Sequence, residues 1–184
     1  MPVAAETIIE IDVPQDVEAN YQNKQLTVKG PKGSSSRTFS HPRLTMEIKN
    51  GKIITNCSLP RKREKALVGT WCAHANNMII GITKGFEYRM KIVYAHFPVK
   101  VAFDKKNMKF RISNFMGEKS DRVANIRDGV KVKIDGDQVI LTGTDVEKVG
   151  QSAANIEHAT KIKGFDIRVF QDGIYITQKA IHGD

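Results

Sequence analysis

The chain has few of the residues that build disulfide frameworks, zinc sites or membrane spans. Its 184 residues include 2 cysteines, Cys57 and Cys72, too few for a disulfide framework and without the CxxC spacing of a zinc site. No uncharged apolar stretch approaches the roughly 20 residues that a transmembrane helix needs. The N-terminus also lacks the pattern of a secretory signal. The sequence therefore predicts a soluble, unexported protein without a membrane partner.

Catalytic signatures are also missing from the sequence. It contains no GxSxG, Walker or GxGxxG motif, and its histidines form neither HExxH nor another metal-ligand spacing. We therefore expect no enzyme activity, no metal ion, no cofactor and no small-molecule substrate. The enzyme alternative would require a convergent polar pocket, and the sequence does not show whether Asp166, Asp172 and His158 converge.

The charge of the chain is strongly basic, with 29 Lys and Arg against 20 Asp and Glu, a formal net charge of +9. This balance favours a polyanionic partner, with nucleic acid ahead of an anionic membrane surface. Two basic clusters stand out in the first half, one in a predicted flap over 29–43 and one opening the first predicted helix. A phosphate partner and a solvated charge run explain them equally well. Their cations are Lys29, Lys32, Arg37, Arg43, Arg61, Lys62 and Arg63.

The flap also contains "GPKG" at Gly30–Gly33, which has the GxxG form used by KH domains to hold a nucleic-acid backbone. A KH loop joins two helices. Here an alternating strand precedes the motif and a Ser-rich stretch follows it, so the sequence argues against a KH domain.

The two halves of the sequence repeat each other. "KGFEYR" at 84–89 returns as "KGFDIR" at 163–168, and an offset of 84 residues aligns Leu26 with Phe110 and Val28 with Ile112. An offset of 86 residues superposes "LTMEI" on "VKVKI", each an alternating strand followed by a polar turn. The sequence therefore predicts an α+β fold of two tandem duplicated domains, 1–85 and 86–184. Each is expected to be a small, mostly antiparallel β-sheet packed against one long α-helix.

Local patterns predict where the helices begin and end. Thr144 and Glu147 have capping-box spacing, and Trp71 lies on the apolar face of the first predicted helix. Each "KGF" is predicted to join a helix to a strand, with Gly85 and Gly164 at positive φ. The run "RVFQDGIYITQK" at 168–179 is predicted to be a hairpin turning at Asp172-Gly173.

Four further blocks resemble a known family. They are "HFP" at 96–98, "NFMGEK" at 114–119, "GTDVEKVGQSAANIE" at 143–157 and "RVFQDGIYI" at 168–176. In this order they resemble the archaeal and eukaryotic branch of the large-subunit ribosomal protein that is sixth in bacterial and ninth in eukaryotic numbering. With the duplication, the resemblance covers nearly the whole chain.

This resemblance implies a cytoplasmic, non-catalytic protein of the large ribosomal subunit. It would bind large-subunit rRNA near the sarcin–ricin loop and the base of the factor-recruiting stalk, chiefly through domain 86–184. Domain 1–85 would face neighbouring ribosomal proteins and peripheral RNA, which assigns its basic clusters to that role. The RNA contacts carried over by position are Phe115, Met116, Gly117, Lys119, Arg122, Lys161, Lys163, Arg168, Gln171, Asp172, Gly173, Tyr175 and Lys179.

Charge alone would instead assign the stronger RNA binding to the first half of the chain. Residues 1–94 carry 14 Lys and Arg against 8 Asp and Glu, whereas residues 95–184 carry 15 against 12. We follow the resemblance, because a few placed cations and a glycine loop can hold structured RNA by phosphate and shape. The alternative of a free-standing module for single-stranded RNA predicts exposed aromatic side chains, and the single tryptophan, Trp71, is predicted to be buried.

Overall fold

The computed structural model describes residues 6–166 and 168–182, and it divides into two compact units between Lys84 and Gly85. We call these units the first and the second repeat. Each has its own hydrophobic core, and the two cores share no residue. Every strand pair in both repeats is antiparallel.

The first repeat forms two three-stranded sheets, ordered β1-β6-β5 and β2-β3-β4, with one helix. Its elements are β1 Glu6–Asp12, β2 Glu18–Gln22, β3 Gln25–Gly30, β4 Gly33–Thr38, β5 Leu44–Lys49, β6 Lys52–Ser58 and α1 Lys62–Thr83.

The second repeat forms a three-stranded sheet, β10-β9-β8, and a four-stranded sheet, β11-β12-β7-β13. Its elements are β7 Phe86–Val93, β8 Lys100–Asp104, β9 Lys109–Ser113, a 3-10 helix Phe115–Gly117, β10 Arg122–Asn125, β11 Lys131–Asp135, β12 Gln138–Gly143, α2 Val146–Ala159 and β13 Gly173–His182.

The predicted duplication is confirmed strand by strand. The meander β2-β3-β4 corresponds to β8-β9-β10, the hairpin β5-β6 to β11-β12, and β1 to β7. Leu26 and Phe110 are both fully buried, as are Val28 and Ile112. The α+β class is confirmed, although each repeat divides its strands between two sheets. Among the described residues, β13 has no counterpart in the first repeat.

The buried faces of the helices follow their apolar spacing. In α1, Trp71 is buried and its ring lies 5.3 Å from that of Phe39. In α2, Val149, Ala153 and Ile156 are fully buried. No helix within the described ranges is long and apolar enough to span a membrane.

The predicted start of α2 is wrong by one residue. Asp145, not Thr144, is the N-cap, and its Oδ1 accepts hydrogen bonds from the backbone N–H groups of Glu147 at 2.9 Å and Lys148 at 3.4 Å. An aspartate satisfies two free donors here and also places its negative charge at the positive end of the helix dipole.

The two copies of "KGF" occupy different structures. Lys84 is the C-cap of α1, Gly85 has φ +81° and Phe86 begins β7, so the first copy is a helix-to-strand junction as predicted. The second copy is not, because α2 ends at Ala159 and no strand begins before Gly173 in the described residues. Gly164 shares a φ of +81° but lies in a loop.

The predicted hairpin at Asp172-Gly173 is also wrong. Gly173 is the first residue of β13, a single long strand that pairs antiparallel with β7. Asp172 is only 1% exposed and is held by contacts to residues 95 and 96, described below. An Asp-Gly turn signal is local, and here a long-range pairing overrides it.

Candidate nucleic-acid interface

Three segments of the second repeat meet at its loop end: 94–98 after β7, 114–119 around the 3-10 helix, and 161–175, which follows α2 and includes the first three residues of β13, without the undescribed residue 167. We call them together the loop surface. Thirteen predicted RNA contacts were named from sequence, and all but Arg122 and Lys179 belong to the loop surface. In the structure, some of these thirteen residues hold the loop surface together and others are exposed on it.

Arg122 builds the loop surface from the first residue of β10. Its Nε and Nη2 donate to the two carboxylate oxygens of Glu118 at 2.9 and 2.6 Å. Its Nη1 donates to the carbonyls of Ala159 and Lys161 at 3.0 and 3.1 Å, at the end of α2. This hydrogen bonding lowers the pKa of Glu118. Arg122 therefore holds segment 114–119 against the end of α2, and its role as an RNA contact stays a prediction.

Phe115 is likewise part of the core. Its ring is 1% exposed and lies 4.4 Å from the guanidinium carbon of Arg122. Its ring is therefore packed inside the repeat, and the expected RNA contact at this position stays a prediction.

The neighbouring backbone is unusual. Asn114 and Met116 have φ of 58° and 54°, and Gly117 has φ of 76° with the ring of Phe97 only 3.2 Å from where a Cβ would lie. Gly117 is exposed, Met116 is half-buried and Lys119 is exposed. The expected contacts at these three positions remain geometrically accessible.

Asp172 joins the segment after β7 to the segment before β13. Its carboxylate accepts hydrogen bonds from the backbone N–H groups of Ala95 at 3.2 Å and His96 at 3.3 Å, and lies 3.1 Å from His96 Nδ1. Burial raises the pKa of this carboxyl, but the hydrogen bonds from His96 and Ala95 outweigh burial and lower the pKa below its usual value. Asp172 therefore positions these two segments, and its expected role as an RNA contact stays a prediction.

Gly173 also serves packing. It is buried, and a Cβ at this position would lie 2.9 Å from the Tyr175 ring. Tyr175 itself is exposed, and its hydroxyl donates to the Gln171 carbonyl at 3.1 Å. Gly173 is therefore buried, whereas Gln171 and Tyr175 are accessible, and the RNA contacts expected at all three positions stay predictions.

The remaining predicted cations of the second repeat are exposed: Lys119, Lys161, Lys163, Arg168 and Lys179. Arg168 has a partner, since its Nη2 donates to Asp166 at 2.9 Å. The side chain of Arg168 is 87% exposed, so solvent screens this pair and the guanidinium can exchange partners at small cost. Lys179 lies on β13, away from the segments that form the loop surface.

Exposed aromatic rings also lie on the loop surface, and three of them were not predicted from the sequence. Tyr94, Phe97 and Phe165 are exposed, the last by 56%, whereas the sequence argument considered only the single tryptophan. Phe165 packs at 4.9 Å on Phe170, which stacks at 4.7 Å on His96. The density of aromatics in "HFP", "KGF" and "RVF" was the available signal.

A groove of about 760 Å³ runs along the loop surface beside the end of α2. It is lined by Val93, Glu157, His158, Thr160, Lys161, Ile162, Phe170, Gln171 and Tyr175. Glu157 has a structural role, because its carboxylate accepts a hydrogen bond from the Ile176 backbone N–H at 3.3 Å. No group of three or more His, Cys, Asp or Glu able to hold a metal ion occurs in the part of the chain that the structure describes.

The basic residues of the first repeat do not form one loop. The predicted flap is the hairpin β3-β4 with the segment that follows it, and "GPKG" is the hairpin turn between two strands. The Lys32 backbone N–H donates to Ile82 O at 3.0 Å and its Nζ donates to Lys84 O, so Lys32 caps the end of α1. These contacts give Lys32 a structural role that requires no ligand.

At the other end of α1, Arg61 is the N-cap and its backbone N–H donates to the Glu64 carboxylate at 2.5 Å. Arg43 Nη1 lies 3.3 Å from the same carboxylate. Lys29, Lys62 and Arg63 are exposed. Helix α1 thus opens with cations as predicted, and Glu64 offsets part of their conflict with the helix dipole.

The fold and the surface define a class: a duplicated α+β protein whose second repeat carries exposed cations and exposed aromatic rings on its loop surface. The sequence profile of the family described as Ribosomal protein L6 matches residues 13–85 and 97–173, once in each repeat. The chain belongs to the ribosomal protein L6 family.

Relatives match along nearly their whole length. A protein of Methanosarcina mazei is 47% identical over 170 residues, covering 92% of this chain and 96% of the relative. One of Methanocella arvoryzae is 49% identical over 178 residues, covering 97% and 100%. One of Staphylothermus marinus is 50% identical over 169 residues, covering 91% of each chain. All three are named large ribosomal subunit protein uL6. The family consists of structural ribosomal proteins, so the expectation that this chain is not an enzyme is confirmed.

Proposed function

We propose that this protein is a component of the large ribosomal subunit that binds large-subunit rRNA through the loop surface of its second repeat. The RNA site would lie near the sarcin–ricin loop and the base of the factor-recruiting stalk, where other ribosomal proteins would be its neighbours. Family membership supports the subunit, because the relatives above carry that name. The structure of the second repeat supports the choice of surface.

The observation that carries the proposal is the set of hydrogen bonds that hold the loop surface together. The half-buried Arg122 and the buried Asp172 each join two segments that are distant in sequence. The cations left exposed beside them are Lys119, Lys161, Lys163 and Arg168. Structured RNA is recognised by shape and by phosphate contacts, and both require donors held at fixed positions.

Full-length charge variants test which repeat anchors the protein. We expect Lys119→Gln with Lys163→Gln to weaken binding to an rRNA fragment containing the sarcin–ricin loop and the stalk base. The salt dependence should fall by about one phosphate contact for each lysine. The matched control, Lys29→Gln with Lys62→Gln, removes the same charge from the first repeat and should change affinity much less. Filter binding across a salt series measures both.

A stronger effect of the control pair would assign the anchor to the first repeat. Circular dichroism would verify that both variants are folded. The exposed rings are also compatible with the alternative of a free-standing module for single-stranded RNA. Co-sedimentation distinguishes the two: we expect the native protein to sediment with large ribosomal subunits, whereas a free-standing module would sediment apart from them.

A further inference from the structure

In the second repeat, strand β13 covers one edge of β7. The two pair antiparallel from Gly173 opposite Val93 to His182 opposite Phe86. The corresponding strand of the first repeat is β1. Asp12 of β1 pairs with Lys52, the first residue of β6, just as Lys91 of β7 pairs with Gln138, the first residue of β12. Within 6–166 and 168–182, no strand pairs with the edge of β1 that faces away from β6.

The open edge leaves part of the first core uncovered. Met90 and Ile92 of β7 are buried, and Ile176 and Ile174 of β13 lie opposite them. Their counterparts in β1 and just after it, Ile11 and Val13, pack against the core of the first repeat but remain half-buried. Apolar side chains on the inner face of the missing strand would complete their burial. By comparison with β13 of the second repeat, a segment that paired with this edge of β1 would be extended, with apolar residues at alternate positions.

The opposite face of this edge carries carboxylates. The registers place Glu10 and Asp12 where β7 has Arg89 and Lys91, so the sign is reversed. Lys52 contacts both carboxylates, Glu10 at 3.1 Å and Asp12 at 3.5 Å, and one ammonium cannot neutralise two carboxylates. Ile8, on the same face, is 50% exposed. A strand whose outward residues are Lys or Arg would complete this face.

We propose that the free edge of β1 is a docking site for an extended segment of a partner protein, with apolar residues alternating with cations, which adds to the sheet antiparallel as β13 adds to β7. Main-chain hydrogen bonds provide the binding energy, and Glu10 and Asp12 select the charge of the segment. This site lies in the first repeat and does not depend on the proposed RNA contacts of the second.

The test uses the full chain and two synthetic peptides of the length of β1, 7 residues. One alternates Val with Lys, and the control peptide alternates Val with Glu. We expect the Lys peptide to bind and to slow amide hydrogen exchange in β1. Exchange in β5, the other edge of the same sheet, should stay unchanged. The Glu peptide should not bind.

Two charge-matched variants test the selection by charge. Glu10→Gln with Asp12→Asn should weaken binding of the Lys peptide by roughly tenfold, from two cross-strand charge pairs. Asp16→Asn with Glu18→Gln removes the same charge outside β1 and should leave the affinity unchanged. Circular dichroism checks that both variants fold, and the comparison of the two peptides on the unaltered chain does not depend on either variant.

Several results would overturn the proposal. Equal binding of both peptides would show that Glu10 and Asp12 do not select the charge of the segment. Equal weakening by both variants would reduce the site to non-specific charge attraction. Slow exchange along the whole of β1 in the free monomer would mean that the chain covers its own edge. Protection of β1 in a dimer detected by analytical ultracentrifugation would make a second copy the occupant.

Discussion

At the scale of single residues, charged side chains of the second repeat hold distant segments together. One guanidinium, that of Arg122, satisfies two carbonyls at the end of α2 and one carboxylate from the segment after the 3-10 helix. The planar fork of arginine can serve all these acceptors at once, whereas a lysine ammonium cannot adopt this geometry. The identity of the residue matters more here than its charge.

We expect Arg122→Lys to lower the free energy of unfolding by about 1–3 kcal/mol, because the carbonyls of Ala159 and Lys161 and the carboxylate of Glu118 lose donors. The control is Arg111→Lys on the neighbouring strand β9, whose side chain is exposed and should cost less than about 0.5 kcal/mol. Urea unfolding monitored by circular dichroism compares the two. Equal costs would show that Arg122 contributes only charge.

Asp172 should make stability depend on acid pH. Its pKa in the folded protein is below the unfolded value of about 3.9, so its contribution is fully present above that value and is lost as pH falls through the folded pKa. We expect Asp172→Asn to lower stability by about 1–3 kcal/mol near neutral pH. The gap between variant and wild type should narrow as pH falls below about 4. Urea titrations at a series of pH values measure the gap, and a constant gap would contradict the assignment.

At the scale of elements, the boundary of α1 depends on one glycine. Gly85 follows the C-cap at φ +81°, a conformation that strains any residue with a Cβ. Gly69 lies inside the same helix without positive φ and with open space where a Cβ would be. The two positions therefore predict opposite responses to the same substitution.

We expect Gly85→Ala to destabilise the protein by about 1–2 kcal/mol and Gly69→Ala to stabilise it by about 0.5–1 kcal/mol. Thermal or urea unfolding gives both values. If the two substitutions changed stability in the same direction, positive φ would not be the reason for glycine at position 85.

Sequence reasoning succeeded at this scale where the pattern is local and repeated. The alternation in "LTMEI" and "VKVKI" and the spacing of Val149, Ala153 and Ile156 predicted strands and helix faces correctly. It failed where a distant partner decides. Asp172-Gly173 carries a turn signal, yet pairing with β7 and hydrogen bonds to residues 95 and 96 determine its structure.

The candidate site also has features that the sequence predicted and features that it did not. Exposed cations such as Lys119 and Lys163 were foreseeable from composition and order. The internal roles of Arg122 and Phe115 were not, because the sequence does not reveal which donors face the end of α2. A charged residue in an RNA-binding block can support the surface instead of touching the ligand, and only the geometry separates these two roles.

At the scale of the whole molecule, the net charge of +9 favours binding to a polyanion, which is the class of the proposed rRNA ligand. Binding of the full chain to the rRNA fragment should weaken steeply as salt rises, because Lys and Arg displace counterions from the phosphates. We expect a chelator to leave the affinity unchanged. Filter binding measures both, and a salt-insensitive affinity or one lost on chelation would argue against phosphate recognition.

The two repeats also differ in when they can be completed during synthesis. All described strand partners in the first repeat lie before Lys84, whereas β7 must wait for β13, whose last residue is His182. At about 5–20 residues per second, translation of the intervening stretch takes roughly 5–20 s. During most of that interval the first repeat can fold while segment 94–98 still lacks Asp172. The nascent chain therefore acquires its folded first repeat before its proposed RNA-binding surface, and that surface forms only when the sheet of the second repeat closes.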